Sequence, residues 1–412
     1  MAIACCTFTG QNRQQARIRI VRLIPSCDLR PSSLPAFSIC TAPHYTLMAI
    51  INGTAKNNIL IGTDGIDTIN GKDGNDTITG GKGNDILVDT VGNGVFVINL
   101  GDGIDTIVGF TGIGTGSDPA TGRVIKADVL RFEGVGLTAQ NLRLTNAGKD
   151  VKVSFEGVPR TGAILKQVGV DRLDNLRKSN GAAADAGNIL FTGQSQIEDQ
   201  FDVFDAKSKQ RVIFTKNSVT FLNDLKNKVK GFDLSNDVIN AQRGNDKISG
   251  LSGNDVLRGG QGKDKLNGGA GEDTLKGDGG KDVLNGGWDD DLLVGGGGSD
   301  RFLFEVSAGV SFSQMGVDTI TGFRPQSDKL LLDRTAFTSL VTQPKANLGS
   351  EFATVANDID AAFSTALIVY STGTGNLFYN QNGSADGLGD GAQFATLTGA
   401  PSLSASSFII QK

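Results

Sequence analysis

Between Ala241 and Leu303 the chain repeats every nine residues: AQRGNDKIS, GLSGNDVLR, GGQGKDKLN, GGAGEDTLK, GDGGKDVLN, GGWDDDLLV, GGGGSDRFL. The sixth place of every row is Asp: Asp246, Asp255, Asp264, Asp273, Asp282, Asp291 and Asp300. The eighth is large and apolar: Ile248, Leu257, Leu266, Leu275, Leu284, Leu293 and Phe302. Glycine dominates the first, second and fourth places, which rules out a helix, since each glycine costs about 1 kcal/mol there relative to alanine. The pattern suits a coil of short strands. The glycines allow a tight turn through backbone angles that other residues avoid. The last three places then form a brief strand with one side chain inward. Two rows complete one coil, so rows two apart stack on the same side, roughly 4.8 Å apart.

One buried aliphatic per row is too little to hold such a coil, and the stacked aspartates oppose it. Carboxylates about 5 Å apart repel by roughly 3 kcal/mol per pair at an effective dielectric near 20. A hard dication between them reverses the sign. Carboxylate oxygens and turn carbonyls make an all-oxygen cage that suits Ca2+ better than zinc. The row formula G-G-x-G-x-D-x-U-x resembles the RTX (hemolysin-type) calcium-binding nonapeptide. The resemblance implies an all-β fold of parallel β-rolls, several bound Ca2+ ions, and export of the chain.

A shorter array runs from Gly53: GTAKNNILI, GTDGIDTIN, GKDGNDTIT, GGKGNDILV, DTVGNGVFV. Its middle rows carry Asp67, Asp76 and Asp85, while Asn58 and Gly94 hold the acid's place at the ends. On this reading only the Asp67/Asp85 pair completes a site, and the first array binds calcium more weakly than the second. Asp237 lies in register ahead of the second array, in a degenerate row from Gly231 to Asn240. The expected metal donors are Asp67, Asp76, Asp85, Asp237 and the seven aspartates of the second array. With them go the turn glycines Gly65, Gly74, Gly83, Gly244, Gly253, Gly260, Gly262, Gly269, Gly271, Gly280, Gly287 and Gly298. After each array comes the same sequence of parts: Asp105-Thr-Ile-Val-Gly-Phe110 matches Asp318-Thr-Ile-Thr-Gly-Phe323, and each is followed by a loop and a second apolar strand. These segments read as caps that close the stacks. The expected architecture is two parallel β-rolls, at 48–100 and 231–304, each followed by a β cap region, at 101–230 and 305–412.

Residues 1–47 differ from everything after them. They hold five arginines against one aspartate, a balance of +4, whereas the rest has 34 basic and 43 acidic residues, or −9. All four cysteines (Cys5, Cys6, Cys27, Cys40) and the one histidine, His44, also lie there. The segment lacks the apolar core of a secretory signal. It reads as an unstructured leader or an over-extended gene model, with translation beginning at Met48. The opening Met48-Ala49-Ile50-Ile51-Asn52-Gly53-Thr54 resembles that of short RTX proteins, especially non-enzymatic ones of cyanobacteria.

The body of the chain therefore has no thiol or imidazole chemistry. Its acidity argues against nucleic-acid binding, and no apolar run is long enough for a transmembrane segment. No H-E-x-x-H and no G-x-S-x-G occurs. Each Gly-Lys pair (at Gly71, Gly81, Gly148, Gly262 and Gly280) precedes Asp or Gly, never Ser or Thr, so no phosphate-binding loop is formed. Trp288, in a turn, reads as an exposed side chain lying on the roll.

Residues 133–230 are the least patterned. Leu142–Phe155 alternates like a hairpin, Phe201–Phe204 and Val212–Phe214 read as strands, and Phe221–Lys230 reads as a short helix or irregular coil. Glu133, Glu156 and Glu198 are the candidates there for acid–base catalysis, and surface solvation explains them better. In the tail, 357–364 reads as a helix, and Ala366–Tyr370 with Asn376–Tyr379 as a hairpin. The tail resembles the C-terminal module of short RTX proteins, which implies a type I secretion signal and secretion machinery as a partner. Ser407 stands where that signal has an acid. The expectation is a secreted, calcium-folded surface or structural protein, not an enzyme, with any polysaccharide partner unspecified; the alternative is an enzyme whose catalytic unit is 133–230.

Overall fold

The structure is a computed structural model. It describes residues 48–111, 128–173, 189–194, 201–204, 207–214, 216–305, 312–383, 385 and 387–411, together with the backbone of 17–21. The chain divides into two compact units, Met1–Gln200 and Phe201–Lys412. The fold is all-β in both, as the row pattern requires.

In the second unit, odd and even rows form opposite walls of a coil. One wall stacks Val238–Asn240, Val256–Arg258, Thr274–Lys276 and Leu292–Val294 in parallel, 18 residues per step. The other stacks Lys228–Lys230, Lys247–Ser252, Lys265–Ala270, Val283–Trp288 and Arg301–Phe304. Every eighth-place residue from Ile248 to Phe302 is at most 1% exposed. A buried side chain of this size contributes about 1.5–3 kcal/mol. The turns demand left-handed backbone twice per row. The second place has positive φ at Gln242, Leu251 and Asp278 as well as at glycines, and so does the fourth at Gly244, Gly262, Gly280 and Gly298. A Cβ on Gly262 would overlap the Gly244 carbonyl, and one on Gly280 the Gly262 carbonyl, so the stacking itself enforces glycine there.

The segments read as caps continue the walls. Asp318–Thr321 adds in parallel to Leu292–Val294, and Lys329–Leu332 to Arg301–Phe304. Gln393–Leu397 and Phe408–Ile410 extend the two walls again. Ile368–Ser371 and Asn376–Tyr379 pair as the expected hairpin, whereas the helix expected at 357–364 is a short 3-10 turn, Asp358–Phe363. The boundary drawn at 231 is corrected to 201. Phe201–Val203 and Val219–Phe221 already stack in register under Val238–Asn240. Of the two readings of Phe221–Lys230 the irregular coil is the closer: the segment is the end of one strand, an irregular turn over 222–227 and the whole of the next strand. These rows lack the glycine–aspartate formula; their buried apolar side chains Phe201, Phe221 and Val229 keep the register, and Asn227 N–H joins the ladder by donating to Asp246 Oδ1 (2.6 Å).

In the first unit, Met48–Asn52, Thr68–Asn70, Ile86–Val88 and Gly103–Val108 form one parallel wall. Ile59–Ile61, Thr77–Thr79, Val95–Asn99 and Val129–Glu133 form the other. The expected hairpin is present, Leu142–Ala147 against Asp150–Phe155. A third strand, Val158–Leu165, joins this layer in parallel to Gly103–Val108. Within the stretch read as an unstructured leader, Arg17–Val21 pairs antiparallel with Met48–Asn52; the other residues of 1–47, the cysteines included, and Glu198 lie outside the described residues.

Candidate metal centre

Each stacked aspartate divides its two oxygens between two tasks. Oδ1 accepts the backbone N–H of the sixth-place residue one coil earlier. Asp246 donates to Asp264 (2.7 Å), Asp264 to Asp282 (2.8 Å), Asp282 to Asp300 (3.1 Å) and Asp300 to Asp328 (3.1 Å). On the other wall Asp237 donates to Asp255, Asp255 to Asp273 and Asp273 to Asp291, all at 2.7 Å, and Asp291 to Asp318 at 3.3 Å. In the first roll Ala49, Asp67 and Asp85 donate in turn to Asp67, Asp85 and Asp105, and Asn58 donates to Asp76.

Oδ2 behaves differently in the interior and at the ends. At Asp76, Asp85, Asp105, Asp246, Asp255, Asp264, Asp273, Asp282 and Asp291 it is buried with no hydrogen-bond partner. At the ends the protein supplies one. Thr63 N–H donates to Asp67 Oδ2 (2.5 Å), and Phe232 N–H to Asp237 Oδ2 (2.9 Å). Thr111 N–H donates to Asp128 Oδ2 (2.7 Å) and Arg324 N–H to Asp328 Oδ2 (2.8 Å). Thr111 and Arg324 are the residues that follow the matched Gly-Phe pairs, so the internal repeat encodes one closing device used twice. Thr111 adds its hydroxyl to Asp128. Arg324 adds a guanidinium 3.3 Å from Asp300 Oδ2 and 3.4 Å from Asp328 Oδ1. Asp67, Asp237 and Asp300, expected as donors like the rest, thus have both oxygens engaged.

The sequence reading missed Asp105, Asp128, Asp318 and Asp328, which continue the ladders into the caps. The signal was present: each precedes the same x-apolar pair (Asp105-Thr-Ile, Asp128-Val-Leu, Asp318-Thr-Ile, Asp328-Lys-Leu) as the repeat rows do. The view that Asp67/Asp85 is the single complete pair of the first roll is corrected accordingly. On that wall the free oxygens are those of Asp85 and Asp105, because Asp67 is closed by Thr63. Asp89 was also missed. It stands in the first place of a row whose sixth place is Gly94. A Cβ on Gly94 would overlap Asp89 Oδ2, just as a Cβ on first-place Gly80 would overlap Asp85 Oδ2. The carboxylate enters the same space from the opposite side of the turn. Asp89 is 2% exposed, and neither of its oxygens has a well-aligned hydrogen bond, the backbone N–H groups of Val91 and Thr90 offering it only partial support.

The free oxygens face other oxygens. At first-place Gly277 the space a Cβ would fill has Asp282 Oδ2 and the Gly295 carbonyl each 2.6 Å away. At Gly259 the corresponding neighbours are Asp264 Oδ2 at 2.7 Å and the Gly277 carbonyl at 3.0 Å. Carbonyls of first-place glycines therefore border the same space as the free carboxylate oxygens, and the sequence reading had not singled these glycines out. The fourth-place glycines Gly74, Gly83, Gly253, Gly262, Gly271, Gly280 and Gly298 each stack closely on the turn one coil earlier; a Cβ on Gly83 would overlap the carbonyl of Gly65. Gly260, Gly269 and Gly287 supply left-handed second places. Among the described residues no three acidic, cysteine or histidine side chains converge on one point. Single carboxylates and backbone carbonyls would hold a cation here, a hard all-oxygen set that fits Ca2+.

Burial raises the carboxylate pKa values, and neighbouring carboxylates add to the rise while backbone N–H bonds oppose it. Asp85 is pushed up to about 6, Asp255, Asp264, Asp282 and Asp291 to about 7, and Asp105 and Asp273 to about 8. Asp246 also reaches about 7, and so does Asp89, where burial is followed by Asp128 and Asp76. Buried without a counter-charge, these groups favour the proton, which a bound dication would displace.

The RTX calcium-binding nonapeptide repeat matches residues 52–87, 233–266 and 267–302, covering both arrays. The chain is a calcium-binding β-roll protein built on RTX repeats. No curated protein matches it. Among solved structures, the extracellular lipase LipA from Serratia marcescens matches at 17% identity, over 86% of this chain and 40% of that one, with a TM-score of 0.17.

Proposed function

We propose that this is a secreted, non-enzymatic RTX protein whose two rolls fold on calcium outside the cell and serve as a structural or surface element. The observation that carries it is the ladder of buried Oδ2 atoms left without donors, while Oδ1 of the same residues is committed to the fold. Linkage supplies the mechanism. A site with a dissociation constant near 1 μM is stabilised by about 4 kcal/mol in millimolar calcium. At about 0.1 μM calcium, a typical cytosolic level, the same site contributes less than ~0.1 kcal/mol. Several such sites keep the chain open for export through a type I channel and close it afterwards. The tail module at 305–412 supports that route by resemblance.

The segment considered for a catalytic unit favours the structural reading. Residues 142–165 form a β-layer that extends the first roll, and Glu133 and Glu156 are half-buried at its edges. The test is a calcium titration of the full chain followed by circular dichroism. We expect β-signal to rise cooperatively between micromolar and millimolar calcium. The same β-signal in excess chelator would sink the proposal. Recovery of the chain from the culture medium, against its retention in cells, checks the export step.

A further inference from the structure

The two walls of the second roll carry different charge. On one wall the seventh-place residues stack in register as Lys228, Lys247, Lys265, Val283, Arg301 and Lys329. Flanked by buried sixth and eighth places, they point outward; Lys228, Lys247, Lys265 and Arg301 are exposed. None of these four has an ion-pair partner among the described residues. Fifth-place Lys263 and Lys281 lie beside them, also exposed. The opposite wall has Val238, Val256, Thr274, Leu292 and Thr319 at the equivalent places. The first roll has Ile59, Thr77 and Val95 on one wall and Thr68, Ile86 and Thr106 on the other.

This stripe is not needed to offset the buried aspartates, because Asp237, Asp255, Asp273 and Asp291 on the opposite wall manage without it. Like charges stacked on neighbouring strands destabilise a sheet. Lys329 at its end donates to the Ser406 carbonyl (2.8 Å); for the other cations the stripe has an electrostatic cost and no ion pair among the described residues in return. It also borders a shallow groove of about 440 Å³, lined by Lys263, Lys281, Ser299, Arg301, Ser327 and Lys329, with Asp300 beneath them.

We propose that this wall of the second roll binds a linear acidic polysaccharide, laid along the roll axis with its carboxylate or sulfate groups on the basic stripe and its hydroxyls on Ser299 and Ser327. Cations recur with the strand spacing of about 4.8 Å, interrupted once at Val283, which matches a polymer charged at each sugar or each second sugar. Nucleic acid fits less well. Single strands are held by aromatic side chains that stack on bases, and the stripe has none. Duplex DNA is read by an element that enters a groove, and this wall is a flat sheet.

The test uses the full calcium-loaded chain and chondroitin sulfate as the probe, with neutral dextran as the blank and duplex DNA as competitor. The variant Lys247→Gln/Lys265→Gln/Arg301→Gln is compared with Lys56→Gln/Lys149→Gln/Lys152→Gln, which changes net charge equally on exposed residues of the other unit. Binding by the parent chain should weaken with salt, and the stripe variant should lose at least about tenfold in affinity. Its log–log salt slope should fall by about 2, at ~0.7 per contact for a single-stranded polyanion. The control variant should stay within about twofold. Calcium uptake should be the same in all three chains, which separates this result from a failure of the calcium reading. Equal losses in both variants, no binding by the parent chain, or displacement by duplex DNA at matched charge would each overturn the proposal.

Discussion

The two rolls share one plan and differ in how much of it they complete. In the second, the free Oδ2 atoms run unbroken from Asp246 to Asp291, six in all. In the first, only Asp76, Asp85 and Asp105 repeat the pattern, and Asp89 stands in from the wrong place. The ends also differ. The first roll closes Asp128 with a neutral threonine, and the second closes Asp300 and Asp328 with the guanidinium of Arg324. The comparison separates two functions of one residue type. Oδ1 builds the ladder in both rolls. Oδ2 is supplied with a donor at the ends and has none in the middle, so on the proposed function a longer array depends more on calcium.

That difference predicts the largest effect. Chelator added to the full chain should release the first roll at a lower chelator strength than the second, because fewer sites act together. Peptide-resolved amide exchange at 68–99 and 247–294 checks this, and loss of protection at the same chelator concentration would break the comparison.

The next test concerns the odd row of the first roll. Asp89→Ala should abolish a calcium site there, lowering affinity by roughly tenfold or more, as expected for loss of a charged ligand worth about 1.5–3 kcal/mol. The swap Asp89→Gly/Gly94→Asp restores the standard row and should recover binding, measured by calorimetry. If the swap binds no better than Asp89→Ala, Asp89 is not a displaced ligand.

A smaller effect follows from pH. The buried aspartates have folded pKa values raised to about 6 to 8 from an ordinary 3.8. The folded state therefore holds extra protons across that interval. Calcium-free stability should be fully present below about pH 4 and fall as pH rises to about 8. Calcium affinity should rise through the same interval, as metal and proton compete. Thermal melts in chelator and in saturating calcium should show opposite trends, more steeply for the second roll. Parallel trends would mean that the carboxylates are not the calcium ligands.

The smallest effect is expected at Asp289, which holds the fourth place with φ of +73°. Relieving a left-handed non-glycine residue should yield about 1 kcal/mol, or about 2–4 °C in a unit of this size. Asp289→Gly should raise the melting midpoint of the second roll in saturating calcium, while Asp291→Ala should lower calcium affinity. Asp289 Oδ2 accepts a weak bond from Gly271 N–H at 3.2 Å, which sets against the gain. If Asp289→Gly weakens calcium binding as much as Asp291→Ala does, Asp289 is itself a ligand.

The sequence by itself determined the coil and its period. Glycine where the backbone must turn left-handed, an aliphatic at every eighth place and an acid at every sixth leave no other compact solution, because each requirement is local or acts between rows 18 residues apart. It also placed Trp288 on the surface, where it is 37% exposed. What only the tertiary structure decided is which oxygens remain for the ion. Whether Asp67 or Asp85 has a free Oδ2 depends on the donor beside it, which the nine-residue formula does not specify: Thr63 fills the second place of a repeat row, Phe232 lies in the degenerate row before the second array, and Thr111 and Arg324 follow the arrays. The start of the second roll at Phe201, the continuation through Asp105 and Asp318, and the replacement of an acid at Gly94 by Asp89 escaped for the same reason. Stacking in a parallel coil needs only the right side chain at the right height, and segments far from the repeat formula can supply it.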